Sequence, residues 1–125
     1  MQSEYYSIYN HPAAHEVKIA SNWWTSKIDR VTHKQAYTFR LALEGLIFGR
    51  IYNHWYPENP AKGSGYRAII NDYHVDQLLK IACKSAGFHH SKLPGQCVLL
   101  INPGSVKIRS LLTDEEEVIY EKSLE

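Results

Sequence analysis

The segment His54-Trp55-Tyr56-Pro57-Glu58-Asn59-Pro60-Ala61-Lys62-Gly63-Ser64-Gly65-Tyr66-Arg67 decides how this chain is read. Prolines and glycines interrupt it too often for any helix or strand period, so it reads as a shaped turn that leads into a strand. His54, Trp55, Pro57, Gly63, Gly65 and Arg67 read as determinants of that turn. Lys62 and Arg67 could bind an anion, but a salt bridge or solvent exposure is the simpler reading. Ser64 sits between glycines without the Gly-x-Ser-x-Gly spacing of a nucleophile elbow. Nor do the glycines form a phosphate-binding loop, because the lysine precedes them and no helix start follows.

Downstream, residues 66–70 are expected to form a strand. Asp76 then caps a helix with Val75, Leu78, Leu79, Ala82 and Ala86 on its apolar stripe, and Gly87 ends it in a left-handed conformation. Three short strands are expected at 98–101, 106–108 and 118–120, with Asn102-Pro103-Gly104 as the turn between the first two. The run Asp114-Glu115-Glu116-Glu117 reads as a solvated turn. Upstream, Thr32-His33-Lys34-Gln35 is a capping box opening a helix with Phe39, Leu43, Leu46, Ile47 and Ile51 on one stripe. Gly45 and Gly49 weaken that helix and would permit close approach of another helix. An earlier helix starts at Pro12 and buries Val17, Ala20, Trp24 and Ile28. Residues 1–11, with Tyr5, Tyr6 and Tyr9, are expected to be a flexible leader, and residues 12–125 one domain. Helices first and strands mostly last give an α+β class: a helical layer packed on a small antiparallel sheet of about four strands.

The bulk numbers narrow the function. The chain has 125 residues, 14 Lys+Arg against 13 Asp+Glu, and 44% hydrophobic residues. That size supports a core without disulfides or metal. A balance so close to neutral does not favour strong direct capture of nucleic acid or of an anionic membrane. Cys83 and Cys97 make neither a disulfide framework nor a spaced metal motif. His11 and His15 share a helical spacing but have no third ligand at metal spacing. No nucleophile, base or carboxylate pair stands out, so no enzyme, cofactor or metal is expected. With no apolar signal core or membrane-length stretch, the expected location is intracellular.

The 54–67 segment closely resembles the first signature box of the BTG/Tob antiproliferative family. The resemblance extends over roughly residues 16–120, supported by the helix from Asp76 to Gly87 and by Leu93-Pro94 before the apolar strand. It implies a helical layer on a small antiparallel sheet. It also implies a non-enzymatic adaptor, cytoplasmic and nuclear, that binds the nuclease subunit of the Ccr–Not deadenylase complex. Such an adaptor regulates messenger-RNA deadenylation, turnover and cell proliferation.

By resemblance, Tyr66 is the family tyrosine in the partner interface, with Lys62, Val98, Leu100 and Asn102 as the other expected partner-binding residues and Pro103 as a turn determinant. The second family box runs Leu-Trp-Val-Asp-Pro, whereas here it reads Leu99-Leu100-Ile101-Asn102-Pro103. Leucine in place of an interface tryptophan is expected to cost ~1–3 kcal/mol of partner binding. Residues 98–101 are apolar on both faces of the strand, so the plain reading is that both faces are buried; the sharper one is that Val98 and Leu100, which point the same way, form an exposed patch with Tyr66. The alternative reading is a divergent member that no longer binds the deadenylase. It would act as a transcriptional co-regulator or self-associating interaction module, with transcription factors as partners and a monomer or weak oligomer as its state. A direct RNA-binding module is a third reading, with cations too scattered to favour it. The C-terminal extensions with which long family members recruit other partners lie outside these residues.

Overall fold

Polar side chains cap two of the described α-helices in the computed structural model, which describes residues 10–123. Helix α1 (Ala14–Ser26) follows a turn in which His11 Nδ1 accepts from the Ala13 amide at 3.0 Å. Its start lies just past the expected Pro12. Ala13, Val17, Ala20 and Trp24 are fully or almost fully buried, while Ile28 falls beyond its end. The Thr32–Gln35 capping box opens helix α2 (His33–Ile51), with both reciprocal hydrogen bonds at 3.0 Å. Of the expected leader, only Asn10 and His11 lie within the described residues. The His11 ring meets Phe48 edge-on at 5.2 Å and its Nε2 lies 3.0 Å from Tyr52 O. Phe48 is thereby added to the expected stripe, of which Phe39, Leu43, Ile47 and Ile51 are buried and Leu46 is half-buried against the core. Tyr5, Tyr6 and Tyr9 lie outside the described residues.

Helix α3 (Gln77–Ala86) is capped at Asp76, whose Oδ1 accepts from Leu78 N at 2.9 Å. The same carboxylate takes a two-point ion pair from Arg50, at 2.9 and 2.5 Å, which ties α3 to the end of α2. Gly87 ends α3 at φ 82°.

Four strands pair antiparallel in chain order, β1 (Ala68–Asn71), β2 (Cys97–Asn102), β3 (Ser105–Ser110) and β4 (Glu116–Glu121), with α3 inserted between β1 and β2. Ile69, Leu99 and Ile108 pair across one face and pack into the core with the helices, as do Ile101 and Val106. The opposite face carries two cross-strand rows, Ala68–Leu100–Lys107–Val118 and Ile70–Val98–Arg109–Glu116. Glu16 is buried under the sheet's end, where its Oε2 accepts from the Gly104 amide at 2.8 Å.

Three expectations change. The strand expected at 66–70 begins at Ala68, because Gly63 at φ 74° starts a 3-10 turn, Ser64–Tyr66, that holds Tyr66 out of the ladder. The acidic run is solvated throughout, but only its first half is turn: Asp114 takes φ 67°, and Glu116 and Glu117 open β4. Gly45 and Gly49 admit no helix, since both are exposed and a Cβ on either would meet nothing within 4 Å. Each therefore weakens α2 without a packing return. Gly45→Ala and Gly49→Ala are expected to add ~0.5–1 kcal/mol of stability each. A thermal melt checks this, and an unchanged or lower Tm would contradict it.

Candidate partner-binding site

Arg67 organises the 54–67 turn. It is 1% exposed, and all five of its N–H donors are used. Nε donates to Ile101 O at 2.7 Å, and Nη1 to His54 O at 2.8 Å and Lys62 O at 2.7 Å. Nη2 donates to Pro60 O at 2.6 Å and to Asn102 Oδ1 at 2.9 Å. The expected salt bridge or exposed cation is thus corrected: carbonyl dipoles, not a carboxylate, surround the charge. Burial lowers the Arg67 pKa, and the complete set of acceptors favours the charged form against it. Trp55 stacks 5.7 Å from the guanidinium, closing the hub with a cation–π contact.

The turn residues follow from this hub. Gly63 is required twice over, by φ 74° and by crowding: a Cβ there would lie 3.1 Å from Tyr56 Cε2 and 3.3 Å from Arg67 Nη1. Gly65 has no such neighbour, and nothing in the structure explains a glycine there. Pro57 occupies the turn closed by Asn59 N to Tyr56 O at 3.0 Å, and Pro103 the two-residue turn between β2 and β3. Lys62 lends its carbonyl to Arg67, while its ammonium sits 4.6 Å over the Tyr56 ring.

Asn102, expected at the partner interface, turns its side-chain oxygen inward to Arg67. A carboxylate at this position would make the same contact with full charge. Asn102→Asp is therefore expected to stabilise the fold by ~1 kcal/mol near neutral pH. Pairing with Arg67 would hold the new carboxyl below its ordinary range. The gain is present above the unfolded carboxylate pKa, ~4, and is lost as pH falls through the lower folded value. Melts at pH 7 and pH 3 check it: a Tm increment that persists at pH 3 would contradict the ion-pair account.

Tyr66 projects beside this hub with 54% of its surface exposed. One face of its ring lies flat on His54, with centroids 3.6 Å apart and planes at 6°. His54 is therefore more than a turn determinant, since it fixes the orientation of the exposed tyrosine. No local pattern in the sequence signals this pairing.

The expected patch of Val98, Leu100 and Tyr66 is corrected at Val98, which is only 4% exposed. Val98 does face away from the helices, but the register sets it between Ile70 and Arg109, whose side chains flank it on the same face. Leu100 lies between the small Ala68 and Lys107 and stays half-buried. The exposed apolar groups on this face are Ile70 at 43% and Val118 at 52%, with Leu100 between their strands.

Groups with potential chemistry are occupied otherwise. His15 meets Tyr120 edge-on. Burial pushes the Cys83 thiol up to about 12 and Cys97 to about 11, so neither is a nucleophile near neutral pH. Among the described residues, no group of three His, Cys, Asp or Glu could hold a metal ion, and no helix is long and apolar enough to cross a membrane.

The family model described as "BTG family" matches residues 13–120. A BTG family protein of Dictyostelium discoideum is 32% identical over 101 residues, which cover 75% of this chain and 24% of that protein. Human protein BTG1 is 32% identical over 96 residues, covering 74% of this chain and 56% of BTG1. Human protein Tob2 is 31% identical over 110 residues, covering 84% and 32% respectively. The match thus spans from about a quarter to just over half the length of these relatives. The BTG/Tob domain of C. elegans FOG-3 superimposes with a TM-score of 0.79, covering 87% of this chain and 90% of that one at 19% identity, a likeness of fold.

Proposed function

This chain belongs to the BTG family, and from that premise we propose that it is a non-catalytic adaptor. Its partner is the nuclease subunit of the Ccr–Not deadenylase complex, which it brings to messenger RNAs to promote poly(A) shortening and restrain proliferation. The observation that carries this reading is the presentation of Tyr66: half-exposed, stacked on His54 and set on a turn pinned by Arg67. A broad ring with a polar tip, already held in one orientation, loses little entropy on binding and suits an interface anchor. Tyr66 leads into β1 of the sheet face that presents Ile70, Leu100 and Val118, and we assign the partner contact to these groups. The adaptor acts in the cytoplasm and nucleus.

Size-exclusion chromatography of the purified chain with the purified nuclease subunit tests the reading. Co-elution and faster deadenylation of a poly(A) substrate are expected in mixtures that also contain an RNA-tethered form of this chain. Separate elution at concentrations on the order of tens of micromolar would refute it.

One observation favours a second reading. The family tryptophan is replaced by Leu100, and the remaining strip is aliphatic and mixed with Lys107. A member that has changed partners would use this strip for a transcription regulator or for a second copy of itself. Concentration-dependent light scattering without nuclease binding would support it.

A further inference from the structure

We propose that the groove between the last turns of α3 and the His89–His90 corner binds a phosphate monoester on a peptide segment of a partner protein. Lys80 and Lys84 lie one turn apart on α3, and both are exposed. Gly87 then reverses the chain, so that His89 and His90 face back across a groove of about 530 Å³ lined also by Cys83 and Phe88. The two imidazole rings lie 4.0 Å apart. His89 Nδ1 accepts from Ser91 N at 3.1 Å, which leaves Nε2 as its donor.

Nothing at hand neutralises this cluster. No carboxylate lines the groove, and none of Lys80, Lys84, His89 or His90 takes part in the ion pairs found among the described residues. The last carbonyls of α3 are also taken: Gly87 N donates to Lys84 O, and Phe88 N to Cys83 O, each at 3.1 Å. Burial, then the charges of His89 and Lys80, keep the His90 imidazole below its ordinary range. Lys80 and Lys84 carry their charges on one face of α3 without a counter-charge, the two imidazoles add neutral N–H donors from the corner, and a bound anion relieves the repulsion between the lysines.

A phosphate monoester fits better than a single carboxylate. It brings nearly two charges and three acceptor oxygens to donors that arrive from several directions. The apolar floor of Cys83 and half-buried Phe88 suits an apolar residue beside the phosphorylated one. A peptide is favoured over nucleic acid because the cluster is a single station. The chain's net charge is +1, and a nucleic-acid backbone needs a basic track with stacking aromatics.

The groove shares no residue with the surface assigned to the deadenylase, so either assignment can fail without the other. The test is a titration of isotope-labelled protein followed by amide chemical shifts. The probes are an acetylated phosphoserine peptide with an adjacent leucine, its unphosphorylated twin, and a short oligoadenylate. The expected result is saturable shifts at Gly87, Phe88 and Ser91 with the phosphopeptide, at least ~10-fold tighter than with the twin. Lys80→Gln/Lys84→Gln should weaken binding by ~10-fold or more, and Lys80→Arg should retain it. These side chains are exposed, so the fold is expected to survive, and the variant's amide spectrum reads this directly. Equal binding of the twin, no loss in the double variant, or tighter oligoadenylate binding at the same amides would overturn the proposal.

Discussion

Arg67→Met is expected to destabilise the domain by ~4 kcal/mol, lowering Tm by roughly 12–20 °C for a chain of this size. Methionine keeps much of the stem's volume but no donor. Four carbonyls, those of His54, Pro60, Lys62 and Ile101, and Asn102 Oδ1 would each lose a partner. A buried acceptor left without a donor costs ~1–3 kcal/mol, and the exposed Pro60 end of the turn can recover water, so the sum falls short of five full penalties. Arg67→Lys is expected to recover about half, because an ammonium carries three donors and no planar fork. Denaturant unfolding checks both. A loss under ~1 kcal/mol for Arg67→Met would mean that the turn is held by something else.

Tyr66→Ala is expected to weaken partner binding by ~2–3 kcal/mol, or roughly 30- to 150-fold, and to leave stability within ~1 kcal/mol. The two effects separate because Tyr66 lies outside the strand ladder and is half-exposed, whereas its neighbour Arg67 is wholly inside. His54→Ala should show a smaller loss, ~3- to 10-fold, since it removes the surface on which the Tyr66 ring rests and leaves the His54 carbonyl with Arg67. Calorimetry against the nuclease subunit, with a thermal melt of each variant, measures both quantities. A Tyr66→Ala variant that binds as the parent does would remove Tyr66 from the interface.

What was legible in the sequence was local. Thr32 with Gln35, Asp76 ahead of its helix, Gly87 behind it and the Asn102-Pro103-Gly104 turn each follow from groups within a few residues, and the structure keeps all of them. The strands were visible in outline because their apolar residues alternate or run continuously. Arg67 was misread because its acceptors are scattered from His54 to Asn102, and a cation beside an exposed turn ordinarily faces water. Alternation did hold a clue: Arg67, Ile69 and Asn71 are all buried, so counting back from the strand places the arginine inside. At Val98 the plain reading of a strand buried on both faces holds and the exposed-patch reading fails, for a related reason. Alternation gave its face correctly, but whether that face is covered depends on Ile70 and Arg109, which only the strand register brings alongside. Phe48 and Glu16 are buried by partners at His11 and Gly104, too distant in sequence for any pattern to reveal.

The adaptor account rests on a protein surface that works without the family tryptophan. Its most direct test is a calorimetric titration of the purified deadenylase nuclease subunit into this chain and into its Leu100→Trp variant. The account predicts saturable binding by the parent chain at concentrations on the order of tens of micromolar or below, tightened ~5- to 150-fold by the tryptophan. No binding by the folded parent chain in that range, with binding restored in Leu100→Trp, would contradict it and leave this chain a family member that has given up the partner.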